Sequence, residues 1–438
     1  MPCTQYLVIW DCFKFSFCFL AFLLKKNEKI DIKEGEIKKE QKMIDYYSEG
    51  NANKPKRKVN KKKIIIVTCI LLALILIGTV SGLYITNTDF REFMDIYIFR
   101  KKIEENNMAS IEIDEETNPS IYAYDKYVTV LDKSALTLYN SSGKKEAELK
   151  VQISTPMYDT NGSYCVIAEK NGKKLYLIEG NNLVWEKEVE GEISRVSVNK
   201  NGYVSVVLTG TTHKTVIVSF TKEGIDLPTI FLSQTKAVDV VISNDNKYLA
   251  YAEVNALGSL IQSNIKILLL EKAQTDSENA VYYTYTAPEN SLVLKLKYTD
   301  KNALICMCDT GVISLQNQTQ ETLLELQEDK IIAMDIDLNG HIVRVEEIRD
   351  SLFKSSANIR IFNITTKKEN VYKVDSVPKE IYTHHNTIAI HLGTEIHFIS
   401  TNGWLIKKYI STQEVSDVVI GNSIAGVVYR DKVEVFGI

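Results

Sequence analysis

Cysteine, proline, histidine and tryptophan are all scarce in this chain, and each scarcity excludes something. Of seven cysteines, Cys3, Cys12, Cys18 and Cys69 fall near the N-terminus, leaving Cys165, Cys306 and Cys308 for the rest; an odd number at such spacing is no disulfide framework. An excess of one charge sign is missing too. Charged residues make up 25% of the chain but the net charge is only −4, so no overall basic field argues for nucleic acid. There is no G-x-S-x-G elbow, no glycine-rich phosphate cradle and no H-E-x-x-H pair, which removes the commonest signatures of catalysis. Seven prolines beside many lysines, asparagines and isoleucines fit an AT-rich bacterial genome, in which the sequons at Asn140, Asn161, Asn317 and Asn363 carry no glycan.

What is present starts with one uninterrupted apolar run. Ile64 to Ile85 holds 22 residues without a charge, fourteen of them Ile, Leu or Val. At about 1.5 Å per residue it spans a hydrocarbon core of roughly 30 Å, and those residues favour insertion by roughly 4 to 8 kcal/mol. Lys54, Lys56, Arg57, Lys58, Lys61, Lys62 and Lys63 stand just before it, whereas Asp89, Arg91, Glu92 and Asp95 lie just after it. The positive-inside rule puts the N-terminus in the cytoplasm and the C-terminal part outside. No small-residue cleavage site comes after the run, which implies an uncleaved signal anchor.

A second apolar stretch, Tyr6 to Leu24, is interrupted by Asp11 and Lys14. Its apolar gain and the cost of two central charges, each about 5 kcal/mol in sum, nearly cancel. Either it inserts as the first arm of a hairpin held by Lys25, Lys26 and Lys29, or residues 1–42 are an over-extended gene start and the protein begins at Met43. The expected organisation is a doubtful extension over 1–42, a basic cytoplasmic head over 43–63, a transmembrane helix over 64–85, a juxtamembrane amphipathic helix and linker over 86–108, and a propeller domain over 109–438. The juxtamembrane helix rests on Phe90, Phe93, Met94, Tyr97 and Ile98 at helical spacing; it either contacts a membrane or partner or spaces the anchor by docking on the domain beyond.

From Ile111 the apolar period switches to two, and a unit of roughly 35 to 50 residues repeats, the range of propeller blades. Each unit has an apolar strand, a turn rich in Asn, Asp or Gly, a second apolar strand, a turn and a third strand. The first turns read Asp159-Thr-Asn161-Gly162, Asn199-Lys-Asn201-Gly202, Asn244-Asp-Asn246-Lys247, Asp300-Lys-Asn302, Asp337-Leu-Asn339-Gly340 and His384-His-Asn386. Units beginning near Pro119, Thr155, Ile193, Val238, Leu292, Ile331, Pro378 and Val415 number eight, with seven as the alternative count. The last unit stops at Ile438 with three strands, and the lone strand Ser110 to Glu115 is placed to supply its fourth and close the ring. The fold class is all-β, a propeller of four-stranded blades behind a transmembrane and a juxtamembrane helix.

The third strands and the polar segments after them, from Lys174, Ile359 and Glu395, resemble the blade repeat of quinoprotein-like and WD40-like propellers. In those propellers a large residue after the turn packs between blades, and Trp185 and Trp404 fill that place. With its basic head, single helix and propeller the whole chain resembles an uncharacterised clostridial family of membrane-anchored β-propellers, a domain of unknown function. The resemblance implies that layout and no activity.

The sharpest local motif is Asp335-Ile-Asp337-Leu-Asn339-Gly340 with Glu346 behind it, which satisfies the spacing of a calcium loop. Alternating strand-like flanks and the same turn in other units make it a hairpin first and a metal candidate second. His384, His385, His391 and His397 cluster in one unit without a zinc-like spacing. Cys306 and Cys308 share a strand face and read as buried small hydrophobes. Glu346, Glu347, Arg349 and Asp350 read as a solvated loop. The insert from Asn255 to Asn290, carrying Gln274, Asp276, Glu278 and Tyr282-Tyr-Thr-Tyr285, is either a binding edge or a hairpin extension.

The function expected is therefore a membrane-anchored extracytoplasmic interaction module for a protein or cell-envelope ligand. It is expected to need no cofactor or nucleic acid and to catalyse nothing; no residue pattern sets an oligomeric state. The alternatives are a quinoprotein-like or glycan-active enzyme, and a membrane sensor whose basic head meets anionic lipid or a cytoplasmic partner.

Overall fold

The second strand of each repeat is largely apolar on both of its faces because both are covered. In the strand Val204–Thr209, Val204, Val206 and Leu208 pack with Val166 and Leu177 of the preceding unit, whereas Val207 packs with Val240 and Leu249 of the next one. Side chains alternate across a strand, so a sheet buried between two others presents no polar face. Stacked in sequence, such sheets make a ring.

The computed structural model describes residues 61–438 apart from 88–89, 92–93, 100, 104–107, 115, 257–260, 277–278, 289, 327–330 and 352–353. The extension over 1–42, its apolar stretch from Tyr6 and nearly all of the basic head lie outside the described residues. The chain divides into two units, Met1–Gly82 and Leu83–Ile438. In the first begins helix α1 (Lys61–Thr86), whose part Ile66–Thr86 is long and apolar enough to cross a membrane and is not buried in protein.

The second unit is an eight-bladed propeller. Its eight sheets each hold four antiparallel strands: blade 1 (residues 120–150), blade 2 (156–188), blade 3 (192–232), blade 4 (236–286), blade 5 (293–325), blade 6 (331–374), blade 7 (380–410) and blade 8 (417–437). Eight apolar clusters fill the eight seams between neighbours, from Tyr122 and Tyr176 between blades 1 and 2 round to Val128 and Val433 between blades 1 and 8. The last seam is tight. A Cβ on Gly426 would stand 2.9 Å from Val419 on the paired strand and 3.3 Å from Val128 of blade 1, so any larger residue makes these side chains shift.

The ring closes as its sequence implies. Ala109–Glu112 pairs antiparallel with Lys432–Gly437, Ile111 opposite Val433, and supplies the fourth strand of blade 8. The first turns are tight because one residue in each of seven blades takes a positive φ: Asp125, Gly162, Gly202, Asn246, Asn302, Gly340 and His385. Glycine and asparagine tolerate that region best, which explains their recurrence there.

Two elements take a different form from the sequence pattern. The juxtamembrane helix is present but short: Phe90 and Arg91 are α-helical and Met94–Ile98 form a π-helical turn, after which Lys102 pairs parallel with Lys408 on the rim of blade 7. The charge run from Glu346 to Asp350 is not a loop. It belongs to His341–Ser351, which forms a long hairpin with Lys354–Asn363, and Glu346 and Glu369 there bind Arg344 and Arg360 at 2.5 to 3.0 Å. Likewise, the insert after Asn255 carries the third and fourth strands of blade 4, with helix α2 (Leu270–Ala273) between them. Tyr282, Tyr283 and Tyr285 pack half-buried on the core between blades 4 and 5. Its Glu278 lies outside the described residues.

Candidate functional site

The first strand of every blade faces the ring axis, and there the alternation breaks into charge. Arg195 of blade 3 meets Asp239 of blade 4 at 2.9 Å. Lys295 of blade 5 meets Asp335 and Asp337 of blade 6 at 2.8 and 2.5 Å, and Lys297 stands 3.6 Å from Asp337. Carboxylates also accept from the next blade's backbone: Val198 N–H donates to Asp159 and Leu296 N–H to Asp239, both at 2.8 Å. Thr383 of blade 7 donates to Asp335. Each axial charge thus ties one blade to the next, and satisfying a buried carboxylate in this way offsets its lost hydration.

Their protonation is set by these contacts. Burial alone would raise the Asp337 carboxyl, but Lys297 and Lys295 outweigh it and hold it at about 2. Burial lifts Asp239 above its ordinary value even with Arg195 pulling the other way. His384, pushed down to about 4 mainly by burial, is neutral at pH 7 and lies 3.0 Å from the Asn422 side-chain oxygen.

Around these groups the axis widens into a mouth of about 390 Å³, lined by Asp159, Lys297, Asp300, Asp337, His384 and Asp417 among others. A second space of about 190 Å³ reaches Arg195, Asp239 and Lys295 and shares Asp159, Lys297 and Asp337 with the first. Six aspartates, including Asp335, face three cations across the two, so the axial space carries an excess of negative charge. The mouth is built from first turns, among them Asn161-Gly162, Asn339-Gly340 and His384-His385. Antiparallel strands alternate in direction, so third turns such as Trp404's emerge on the same ring face.

Asparagines of the first turns knit that face together. Asn199 donates to Ser243 O at 2.9 Å and to the Asn246 side chain at 2.6 Å, Asn201 donates to Asn244 O at 2.7 Å, and Asn244 donates to Thr299 O at 3.0 Å. The repeated Asn in the sequence reads as turn chemistry alone; its reach to the next blade needs the ring.

The calcium-loop residues do not converge. Asp335 sits at one end of its strand, while Glu346 is opposite Ile331 at the other, roughly 13 Å away at the usual rise per residue. Asp335 and Asp337 hold Lys295, Glu346 holds Arg344 and Arg360, and the Asn339 carbonyl lies 2.8 Å from His341 Nδ1. Among the described residues no group of three or more His, Cys, Asp or Glu side chains is placed to hold a metal ion. His391 reaches Gly393 O, while His397 reaches Tyr372 and Glu395, away from the stacked His384 and His385. Cys306 and Cys308 are buried and free, and burial pushes the Cys308 thiol up to about 11. Trp185 does bridge blades, donating to Lys222 O and lying edge-on to Phe220. Trp404 lies instead against Tyr84 and Arg91.

A sequence model described as "Family of unknown function (DUF5711)" matches residues 99–437. The chain belongs to this family. No curated protein matches it in sequence. Among solved structures, the C-terminal WD40 domain of Sif2 is similar at TM-score 0.50 and 13% identity, over 75% of this chain and 98% of that one. BamB from Moraxella catarrhalis is similar at TM-score 0.45 and 13% identity over the same shares. Hydrazine synthase from Kuenenia stuttgartiensis is similar at TM-score 0.41 and 9% identity, over 75% and 97%. At such identities the likeness is one of fold alone, a β-propeller.

Proposed function

We propose that this protein is a membrane-anchored binding module, held by the Ile66–Thr86 helix, that presents the acid-rich mouth of its propeller to a protein or cell-envelope ligand. The observation that carries this reading is the mouth itself: aspartates of several blades facing one space in a closed ring. Closure fixes every blade against two neighbours, and a preorganised site gives up little entropy on binding. The unbalanced negative charge suits a ligand presenting ammonium, guanidinium or other hydrogen-bond donors.

The role is binding rather than turnover. Lys295 and Lys297 already engage the Asp337 carboxylate and hold it at about 2, which makes it a poor general acid at neutral pH. Lysines and an arginine before the helix support a cytoplasmic N-terminus and an extracytoplasmic propeller. Crosslinked pull-down with the membrane-bound full chain tests the reading against an Asp300→Asn, Asp417→Asn variant. Envelope partners captured by the parent and lost by the variant support it. Turnover of a sugar or alcohol panel by the purified chain would replace it with an enzymatic role.

A further inference from the structure

The described residues between Tyr84 and Ile103 do not form a loose tether. Asp95 and Lys101 make an ion pair at 2.8 Å that is almost fully buried, an arrangement tolerated only when further bonds satisfy both charges. Those bonds are present. The Tyr84 hydroxyl donates to Asp95 at 2.7 Å, and the Lys101 ammonium donates to Leu405 O on blade 7 at 2.7 Å. Lys408 N–H donates to Lys101 O and Ile103 N–H to Lys408 O, at 3.0 and 2.9 Å, so Lys102 forms a parallel β-bridge to the edge of blade 7. Ile103 is buried in the seam of blades 7 and 8.

What this clamp leaves outside is apolar and aromatic. Leu83, Ile85, Ile98, Phe99 and Trp404 are each 40 to 60% exposed. The rings form one array, with Tyr84 5.9 Å from Phe99 and 5.6 Å from Trp404. Arg91 lies 5.6 Å from the Trp404 ring and donates to Tyr84 O and Ile85 O at 2.9 and 2.6 Å, closing the last helical carbonyls. Tryptophan, tyrosine and arginine at the end of an apolar helix are the composition of the headgroup layer, where an amphipathic ring keeps one edge wet and the other dry.

We propose that the rim of blade 7 around Trp404 is a membrane-interface contact, seated with Phe99 and Ile98 in the headgroup region of the bilayer that holds the apolar helix. Chain continuity names the occupant. Tyr84 belongs to the array and to the last turns of that helix, so the layer in which the helix ends is the layer that meets Trp404. The proposal rests on reading the helix as a membrane span.

The test uses the full chain, which has three tryptophans, Trp10, Trp185 and Trp404. One variant (Trp10→Phe, Trp185→Phe) keeps Trp404 and a second (Trp10→Phe, Trp404→Phe) keeps Trp185. Both are reconstituted into phosphatidylcholine and phosphatidylglycerol vesicles containing lipids brominated at shallow or deep acyl positions. Trp404 is expected to be quenched by shallow bromines about threefold more than Trp185, and by aqueous acrylamide less. Equal lipid quenching of the two, in protein that floats with the vesicles and resists alkaline extraction, would overturn the contact and leave the span intact. Protein that does not float, or is extracted at alkaline pH, would overturn both.

Discussion

The Lys295 ammonium of blade 5 lies 2.5 Å from the Asp337 carboxylate of blade 6, and the same ammonium reaches Asp335 at 2.8 Å. One cation thereby ties down two carboxylates that belong to the neighbouring sheet. Replacing Lys295 by Met leaves both carboxylates on the axis with only Lys297 and Thr383 as side-chain partners. Removing one member of a fully buried pair costs about 3 to 5 kcal/mol; this site reaches channel water, so about 1 to 3 kcal/mol is expected. Asp337→Asn keeps the volume and costs about 1 kcal/mol or less. Urea unfolding of the full chain in detergent measures both, and a Lys295→Met variant as stable as the parent would show the triad to be dispensable.

Two groups in the mouth make stability fall in acid, in separate windows. His384 is held at about 4 against an ordinary 6.5. Between those values the unfolded chain binds more protons, so the His384 contribution is complete above pH 6.5 and is lost as pH falls toward 4. Asp337, at about 2 against 3.8, keeps its contribution above pH 4 and loses it as pH falls toward 2. Both side chains are partly exposed, so roughly 1 to 2 kcal/mol each is the expected scale. Unfolding free energy should drop by about that amount between pH 7 and 4.5, and His384→Gln should flatten most of the drop. A profile unchanged in the variant would assign it to another group.

The repeat was legible in the sequence for a physical reason. A blade buried on both faces needs apolar second strands such as Val204–Thr209, and its tight turns need Asn, Asp or Gly at positive φ, so Gly162, Gly202, Asn246, Asn302 and Gly340 mark the units. The closing strand was legible because Ile111 and its neighbours alternate in isolation before the first unit. The axial site was not. Arg195 and Asp239 are 44 residues apart and Lys295 and Asp337 are 42 apart, and nothing local says that one blade's charge answers the next. The juxtamembrane helix was legible from its apolar spacing, but its short extent was not: Lys101 turns to pair with Asp95 and with Leu405 O of blade 7, a partner more than 300 residues away.

Calcium is expected to find no site at Asp335, Asp337, Asn339 and Glu346. Lys295 occupies the two aspartates, and the register puts Glu346 at the far end of the strand, whereas calcium needs six to eight oxygens within about 2.6 Å. Calorimetric titration of the parent should give no binding heat, and calcium should leave its melting temperature unchanged. A calcium-dependent rise in the parent that disappears in an Asp335→Ala, Asp337→Ala variant would contradict this.

Ile111 decides whether the ring stays shut. Only 5% exposed, it lies opposite Val433 and joins Val128, Val428 and Val435 in the seam between blades 8 and 1. Truncation to alanine removes buried methyl groups at the point where the two ends of the domain meet, a change that costs about 2 to 4 kcal/mol in cores of this kind. The loss should not be spread evenly. Lys432–Gly437 becomes an uncovered edge when Ala109–Glu112 detaches, while blade 4, on the far side of the ring, keeps both neighbours. Hydrogen exchange in Ile111→Ala should therefore accelerate first at the amides of 432–437, at denaturant levels where those of Tyr248–Asn255 remain protected. Equal acceleration in both segments would mean that the ring opens only by unfolding as a whole, and that the seam at Ile111 is no weaker than the others.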